Sequence, residues 1–196
     1  MAITVLLSKT PTENQLTAIN VCKSASGVCG SKLRKAHYFL GDALGIQIAL
    51  DLNNIKRIAI IIMMRAGIPF AMGVADALED ANKTVNIFFS VKDNPVPDIF
   101  DPSEYDLVII ADAVIKTGTS MVELENSIGH HNTIFATNVL DQASIMNFNT
   151  KTIYAVRTSE NSYIGATQKT IYEGKGPDTG DRLYYSDFYC KGGFAQ

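Results

Sequence analysis

Five short runs of β-branched and aromatic residues constrain this chain more than any other feature: RIAIIIMM (57–64), TVNIFFSV (84–91), YDLVIIAD (105–112), NTIFATNVL (132–140) and TKTIYAVR (150–157). They are apolar with little alternation and far too short to cross a bilayer as helices, so they read as strands buried on both faces. Segments of helical character separate most of them, at 68–80, 120–128 and 142–148. Apolar strands alternating with helices imply an α/β fold with a mostly parallel central sheet flanked by helices. Upstream, AITVLLS reads as a short strand, and SKLRKAHYFLGDALGIQIALDL carries Tyr38, Leu40, Leu44, Ile48 and Leu50 at helical spacing. With 196 residues and no repeat or long linker, the expectation is a single domain over 1–196.

Charge and targeting remove several function classes. A net charge of −3 with 19% charged residues supplies no basic field for neutralising phosphate chains, so no nucleic-acid partner is expected. No segment resembles a secretory leader, and no apolar run approaches the roughly 20 residues of a membrane helix. The expectation is a cytoplasmic protein without membrane attachment. Cys22, Cys29 and Cys190 are odd in number, which suits three reduced thiols better than a disulfide framework. Cys22 and Cys29 are spaced too widely for a zinc knuckle and lack a second pair.

In parallel sheets, ligands bind beyond the carboxyl ends of the strands. The segments there are RAGIPF after the first long run, KDNPVPDIFDP after the second and DAVIKTGTS after the third, and all three should converge on one sheet edge. In the last, Thr117-Gly118-Thr119-Ser120 reads as a phosphate cradle. Glycine lets successive N–H groups turn into one concavity, the hydroxyls add donors, and a helix starting near Ser120 adds its positive N-terminus. The competing reading is an ordinary helix cap by Thr119 or Ser120 with Glu123 as box partner, which leaves Asp112 unexplained. Asp112, just upstream, lies where a carboxylate would meet ribose hydroxyls or a metal bound to them. The ligand is then a sugar 5-phosphate. The chain lacks the glycine–lysine pattern of nucleoside-triphosphate loops and the spaced glycines of dinucleotide folds.

The order strand, acidic residue, Thr-Gly loop, helix resembles the phosphoribosyl-pyrophosphate (PRPP) motif of type I phosphoribosyltransferases, most closely the uracil phosphoribosyltransferase version. Two further stretches carry the resemblance. IIIMMRAGIPFAMGVADALE is similar to the family's pyrophosphate loop, which implies that Arg65, Ala66 and Gly67 meet pyrophosphate; the guanidinium fork suits phosphate oxygens. YEGKGPDTGDRLYYSD resembles the uracil-binding segment, with the ending Asp178-Thr179-Gly180-Asp181-Arg182 retained. The resemblance spans roughly residues 31–190. It implies a type I phosphoribosyltransferase fold with a small base-binding hood from the C-terminal segment, and transfer of ribose 5-phosphate from PRPP to uracil, giving UMP and pyrophosphate. It also implies Mg2+ and a homodimer.

Residue by residue, the PRPP site is then Arg65, Ala66, Gly67, Lys92, Asp112, Ala113, Val114, Ile115, Lys116, Thr117, Gly118, Thr119, Ser120 and Asp178. Asp112 and Arg65 act closest to the chemistry, and Asp178 lies near the ribose or metal. The base site is Tyr172, Gly176, Pro177, Asp178 and Thr179. Three departures from the family stand out. FFSVKDNPVPDIF has no arginine where the family contacts PRPP and offers only Lys92. Ungapped matching puts Pro177, which has no N–H, where a glycine N–H meets uracil, and a one-residue insertion would restore Gly176 to that place. The family's β-arm before the first long strand is missing. The alternatives are therefore transfer to another nucleobase, or a PRPP- or nucleotide-binding regulator without turnover. His130 and His131 suit a helix C-terminus, His37 reads as an ordinary surface or core residue, and Met63 and Met64 read as strand core beside a loop.

Overall fold

The computed structural model describes residues 2–6, 11–91, 96, 98–129, 132–148, 151–161, 164–165 and 177–185. Among these residues six strands lie in one sheet: β1 (Ala2–Val5), β2 (Arg57–Met63), β3 (Thr84–Ser90), β4 (Leu107–Ile115), β5 (Thr133–Asp141) and β6 (Thr152–Ser159). Their order is β1-β6-β5-β4-β2-β3, and each neighbouring pair is parallel. Among the described residues five α-helices accompany them: α1 (Glu13–Cys22), α2 (Gly30–Asp51), α3 (Ile68–Asp80), α4 (Thr119–Ile128) and α5 (Thr179–Tyr184). The parallel sheet with helices on both faces follows from strands whose side chains are apolar in both directions.

Each sheet face has its own core. Ile58, Ile60 and Ile62 of β2 pack toward α1, α2 and α3, while Ala59 and Ile61 join Phe88, Phe100, Phe135, Phe148 and the α4 residues Met121 and Leu124. In α2 the buried stripe is Leu33, Leu40, Leu44 and Ile48. Tyr38 and Leu50, expected on that stripe, are 40% and 68% exposed, because the 3.6-residue period carries them off the core face. Helices α2 and α3 meet backbone to backbone, since a β-carbon on Gly41 would lie 2.0 Å from the Phe70 carbonyl oxygen and one on Gly73 2.1 Å from that of Tyr38.

Other expectations shift on folding. Helix α1 went unforeseen, although Thr12 and Gln15 form its capping box, with Gln15 N–H donating to Thr12 Oγ1 at 3.2 Å and Thr12 N–H to Gln15 Oε1 at 2.9 Å. The segment Gln142–Phe148 is a tighter 3-10 helix rather than an α-helix. Cys22 is a free buried thiol as expected, whereas Cys29 is engaged in a disulfide, which corrects the expectation of three reduced thiols. No described helix is long and apolar enough to cross a membrane.

The topology fixes where a ligand can enter. β2 and β4 are neighbours, yet the helix after β2 covers one face and the helix after β4 covers the other. Their carboxyl ends therefore splay apart and leave a crevice at the switch point of the sheet.

Candidate functional site

A cavity of about 390 Å3 occupies that crevice, lined by Met64, Arg65 and Ala66 after β2, Asp112, Val114 and Lys116 of β4 and its loop, Ile164, Gly165, and Asp178, Thr179 and Gly180. Two of the three expected loops therefore converge. Lys92 of the third lies outside the described residues, as do Tyr172, Gly176, His130 and His131.

Strand β4 runs to Ile115, three residues beyond the expected end at Asp112. Strand alternation then divides the motif. Asp112, Val114 and Lys116 face the cavity, while Ala113 and Ile115 are 0% and 1% exposed on the opposite side, Ile115 within the α4-side core. The side chains of Ala113 and Ile115 thus pack into the fold, which leaves their backbone groups as what they could offer PRPP. Met64 is 43% exposed and lines the cavity instead of completing the strand core.

The carboxyl of Asp112 accepts the Ala113 N–H at 2.7 Å. Desolvation pushes its pKa up from 3.8 to about 7; the N–H groups of Ala113 and Val114 oppose the rise, and the neighbouring Asp178 charge adds to it. A partly buried carboxylate beside a second carboxylate is poised to gain from a cation or from hydroxyl donors. Asp178 also caps α5, where its Oδ1 accepts the Asp181 N–H at 2.7 Å and the Asp181 side chain reciprocates at 3.4 Å.

The loop after β2 is held from two sides. Arg65 Nη2 lies 3.4 Å from Asp181 Oδ1, its guanidinium sits 4.9 Å from the centre of the Tyr185 ring, and its carbonyl accepts the Tyr184 hydroxyl at 3.1 Å. The Met64–Arg65 peptide is cis. Gly67 donates its N–H to the Met63 carbonyl at 3.1 Å and lies outside the cavity lining. Its part is steric, because a β-carbon there would meet the Ala111 carbonyl oxygen at 2.9 Å, so it lets the loop lie against β4.

At the expected cradle, Gly118 caps α4 in the left-handed region (φ 76°) with no side-chain cap, and its carbonyl accepts the N–H groups of Met121 and Val122. The cap that the competing reading assigned to Thr119 or Ser120 is therefore absent, and their hydroxyls are not spent on it. Thr117 Oγ1 accepts the Thr119 hydroxyl at 3.2 Å, and Asn147 pins the loop by donating to the Thr117 carbonyl at 3.0 Å. Only glycine fits between these, since a β-carbon on Gly118 would lie 2.1 Å from the Phe148 ring. Thr117, Thr119 and Ser120 are exposed and none of them lines this cavity; Ser120 instead lines a separate opening together with Met64 and Ser90.

Behind this cavity lies a second one that shares Val114, Ile164, Gly165 and Thr179 with it and is also lined by Cys22, His37, Asn138 and Arg157. Cys22 and His37 were expected only as a structural thiol and an ordinary surface or core residue, and Asn138 and Arg157 were not singled out. The signal was present in Asn138 and Arg157, polar residues inside the otherwise apolar strands β5 and β6. Pro177 and Thr179 flank Asp178 at the entrance to α5, and Thr179 donates its hydroxyl to the Gly165 carbonyl at 3.2 Å.

A profile of the uracil phosphoribosyltransferase family matches residues 43–186. No curated protein matches the chain in sequence. Similar solved structures include HGPRT-ase from Leishmania tarentolae in complex with GMP, at 12% identity and TM-score 0.51 over 64% of this chain and 78% of that one. They also include hypoxanthine phosphoribosyltransferase from Trypanosoma cruzi with the product IMP, at 12% identity and TM-score 0.49 over 65% and 73% of the two chains. A third is hypoxanthine-guanine phosphoribosyltransferase from Schistosoma mansoni in complex with IMP, at 13% identity and TM-score 0.46 over 61% of this chain. The chain spans 64% of the length of the Schistosoma protein.

Proposed function

The chain belongs to the uracil phosphoribosyltransferase family, and on that premise we propose that it transfers ribose 5-phosphate from PRPP to a nucleobase, uracil in the first instance, giving UMP and pyrophosphate. The observation that carries this reading is the convergence of Arg65, Asp112 and Asp178 on one cavity at the switch point of the sheet.

The reaction asks little covalent chemistry of the protein. The bond from ribose C1′ to pyrophosphate breaks, positive charge develops at C1′, and a ring nitrogen of the base closes the new bond and loses its proton. Positioning and charge stabilisation then account for most of the acceleration. Thr117, Gly118, Thr119 and Ser120 hold the 5-phosphate at the N-terminus of α4, where unpaired N–H groups and the helix dipole favour a dianion. Asp112 accepts from the ribose hydroxyls. Arg65 and Ala66 receive the pyrophosphate, with Lys92 and Lys116 as additional point charges. Pro177, Asp178 and Thr179, with Tyr172 and Gly176, cover the base.

Mg2+ fits this donor set, because it is commonly held by one or two carboxylates together with substrate phosphates, and Asp112 and Asp178 face the same cavity. When bound, it neutralises charge building on the departing pyrophosphate. A homodimer is expected by family resemblance, and a cytoplasmic setting from the sequence.

The test is pyrophosphate release from PRPP and Mg2+ with single nucleobases. Release with uracil supports the reading, and release with another base alone changes the acceptor. Tight PRPP binding without release on any base makes the protein a PRPP-binding regulator, for which Arg65, already satisfied by Asp181 and Tyr185, is the favouring observation.

A further inference from the structure

Arg65 is gripped by one short element that lies far from it in sequence. Helix α5 and the residue after it place the Asp181 carboxylate 3.4 Å from Arg65 Nη2, the Tyr185 ring 4.9 Å from the guanidinium carbon and the Tyr184 hydroxyl 3.1 Å from the Arg65 carbonyl oxygen. The helix is itself anchored to α2 and to the turn before it. Arg182 Nη2 donates to the Lys23 and Val28 carbonyls at 3.2 and 2.9 Å, and Arg34 Nη1 donates to the Leu183 carbonyl at 2.5 Å. These bonds fix the backbone of α5 and leave the Asp181 side chain to serve more than one partner.

That carboxylate divides its two oxygens between two loops. Oδ1 faces Arg65 after β2, and Oδ2 accepts the Asp178 N–H at 3.4 Å. Both contacts are longer than the roughly 2.7–2.9 Å of a strong charge-assisted bond. The other half of the cap, Asp181 N–H to Asp178 Oδ1 at 2.7 Å, is independent of Arg65. The ion pair itself is made through Nη2 alone, so the two partners do not meet fork on fork. With side chains 43% and 17% exposed, it belongs to the class of pairs worth under about 1 kcal/mol. Such a pair holds a guanidinium in place without committing it.

A polyphosphate is the stronger partner for the same group. It carries more negative charge than one carboxylate, and its oxygens accept the two parallel N–H groups of the fork. Asp181 does not line the front cavity, whereas Arg65 does, so the carboxylate reaches a ligand there only through the arginine. Once an anion takes Arg65, Asp181 keeps its charge and loses its cation. It then stands near a second anion, and like charges at short range repel. Two effects of one side chain therefore oppose retention of the anion: the pair regained when it leaves and the repulsion felt while it stays.

We propose that Asp181 is a positioning residue that competes with pyrophosphate for Arg65. It holds the guanidinium at the edge of the cavity in the free protein, yields it when the pyrophosphate arm of PRPP arrives, and recaptures it as the product leaves. The proposal rests on the phosphoribosyl-transfer reading and adds to it a residue that speeds product release. No covalent bond is made or broken in this exchange. The Arg65 side chain passes between two anions while Tyr184 holds its backbone and the Tyr185 ring supplies an uncharged contact.

The experiment is calorimetric titration of the full chain with inorganic pyrophosphate and Mg2+, on wild type, Asp181→Asn, Asp181→Gln and Asp181→Glu, with Asp181→Asn repeated in an Arg65→Gln background. The neutral variants should bind pyrophosphate about fivefold more tightly, and Asp181→Glu, which keeps the charge, should stay within about twofold of wild type. The tightening should vanish when Arg65 is glutamine, a dependence that a merely structural role of Asp181 would not show. Glutamine is an ordinary capping-box partner at this helix position, so Asp181→Gln reads the same competition if asparagine loosens α5. In turnover, the PRPP KM and the inhibition constant of pyrophosphate should fall together. A Kd unchanged or raised in the neutral variants overturns the competition, as does a tightening that persists without Arg65 or a wild type that binds no pyrophosphate. Turnover with any base alongside such a result leaves the transfer reading intact. Absence of turnover with every base removes the transfer reading, and the titration still decides whether Asp181 and pyrophosphate compete.

Discussion

The front crevice and the rear chamber share four residues of wall but are made in opposite ways. The crevice is assembled from short contiguous stretches at the ends of β2 and β4, and its charged groups are half-exposed and held by exchangeable partners such as the Arg65–Asp181 pair. The chamber is assembled from residues as far apart in sequence as Cys22 and Thr179, and it buries His37 Nε2, Asn138 Oδ1 and Arg157 Nε. The difference separates the consequences of mutation. Changes at the front should act first on turnover, with stability following only where a carboxyl is partly desolvated, as at Asp112, whereas changes at the back should act first on stability.

The largest expected effect is at Asp112. Asp112→Asn should lower kcat/KM for PRPP by about 100-fold or more, measured by pyrophosphate release. The same substitution should raise the Tm, and more at pH 8 than at pH 5. Folding raises this carboxyl's pKa from 3.8 to about 7. The stability it confers in its protonated form is present below pH 4 and is lost as pH climbs to about 7, and asparagine escapes that loss. In wild type, kcat/KM for PRPP should rise with pH through about 7, a limb absent from the asparagine variant.

At the back, Arg182→Met should cost about 3 kcal/mol of unfolding free energy in urea titration, because it strips donors from the Lys23 and Val28 carbonyls. Gly118→Ala tests the boundary. Its β-carbon would strike the Phe148 ring in a left-handed backbone, so a loss of roughly 1–3 kcal/mol should accompany a raised PRPP KM. The smallest stability effect is expected at Arg65→Lys, under about 1 kcal/mol by the same titration, since the partner ion pair is partly exposed. Its PRPP KM should nonetheless rise several-fold, because lysine lacks the fork. A stability loss at Arg65 as large as that at Arg182 would erase the contrast between front and back.

What the sequence disclosed follows the same division. β2 and β4, their loops, Asp112 and the Asp178 ending are local patterns, and apolar runs with a Thr-Gly break expose them directly. The division of DAVI into cavity-facing Asp112 and Val114 and core-facing Ala113 and Ile115 depended on β4 continuing three residues further, a boundary set by its pairing with β5 through Val114 and Ile115. Helix α1 was legible in its capping box and was overlooked. His37, Asn138 and Arg157 carry no local motif, and they come to line one cavity only when β5 and β6 lie side by side beneath α2.

The sheet order also bears on how the chain reaches its fold. Among the described residues β1 pairs with β6 alone, with Ala2 beside Thr152, so the first strand must wait for a segment 150 residues later. Each of the other pairings likewise closes a crossover loop before its contacts are made, and such long-range parallel pairing is intrinsically slow. During synthesis the edge of β6 that β1 will cover, and the apolar face of β2 that waits for α2, stand open to other chains. Growth at lower temperature, or with chaperones in excess, should therefore improve the yield of folded protein more than any single surface substitution.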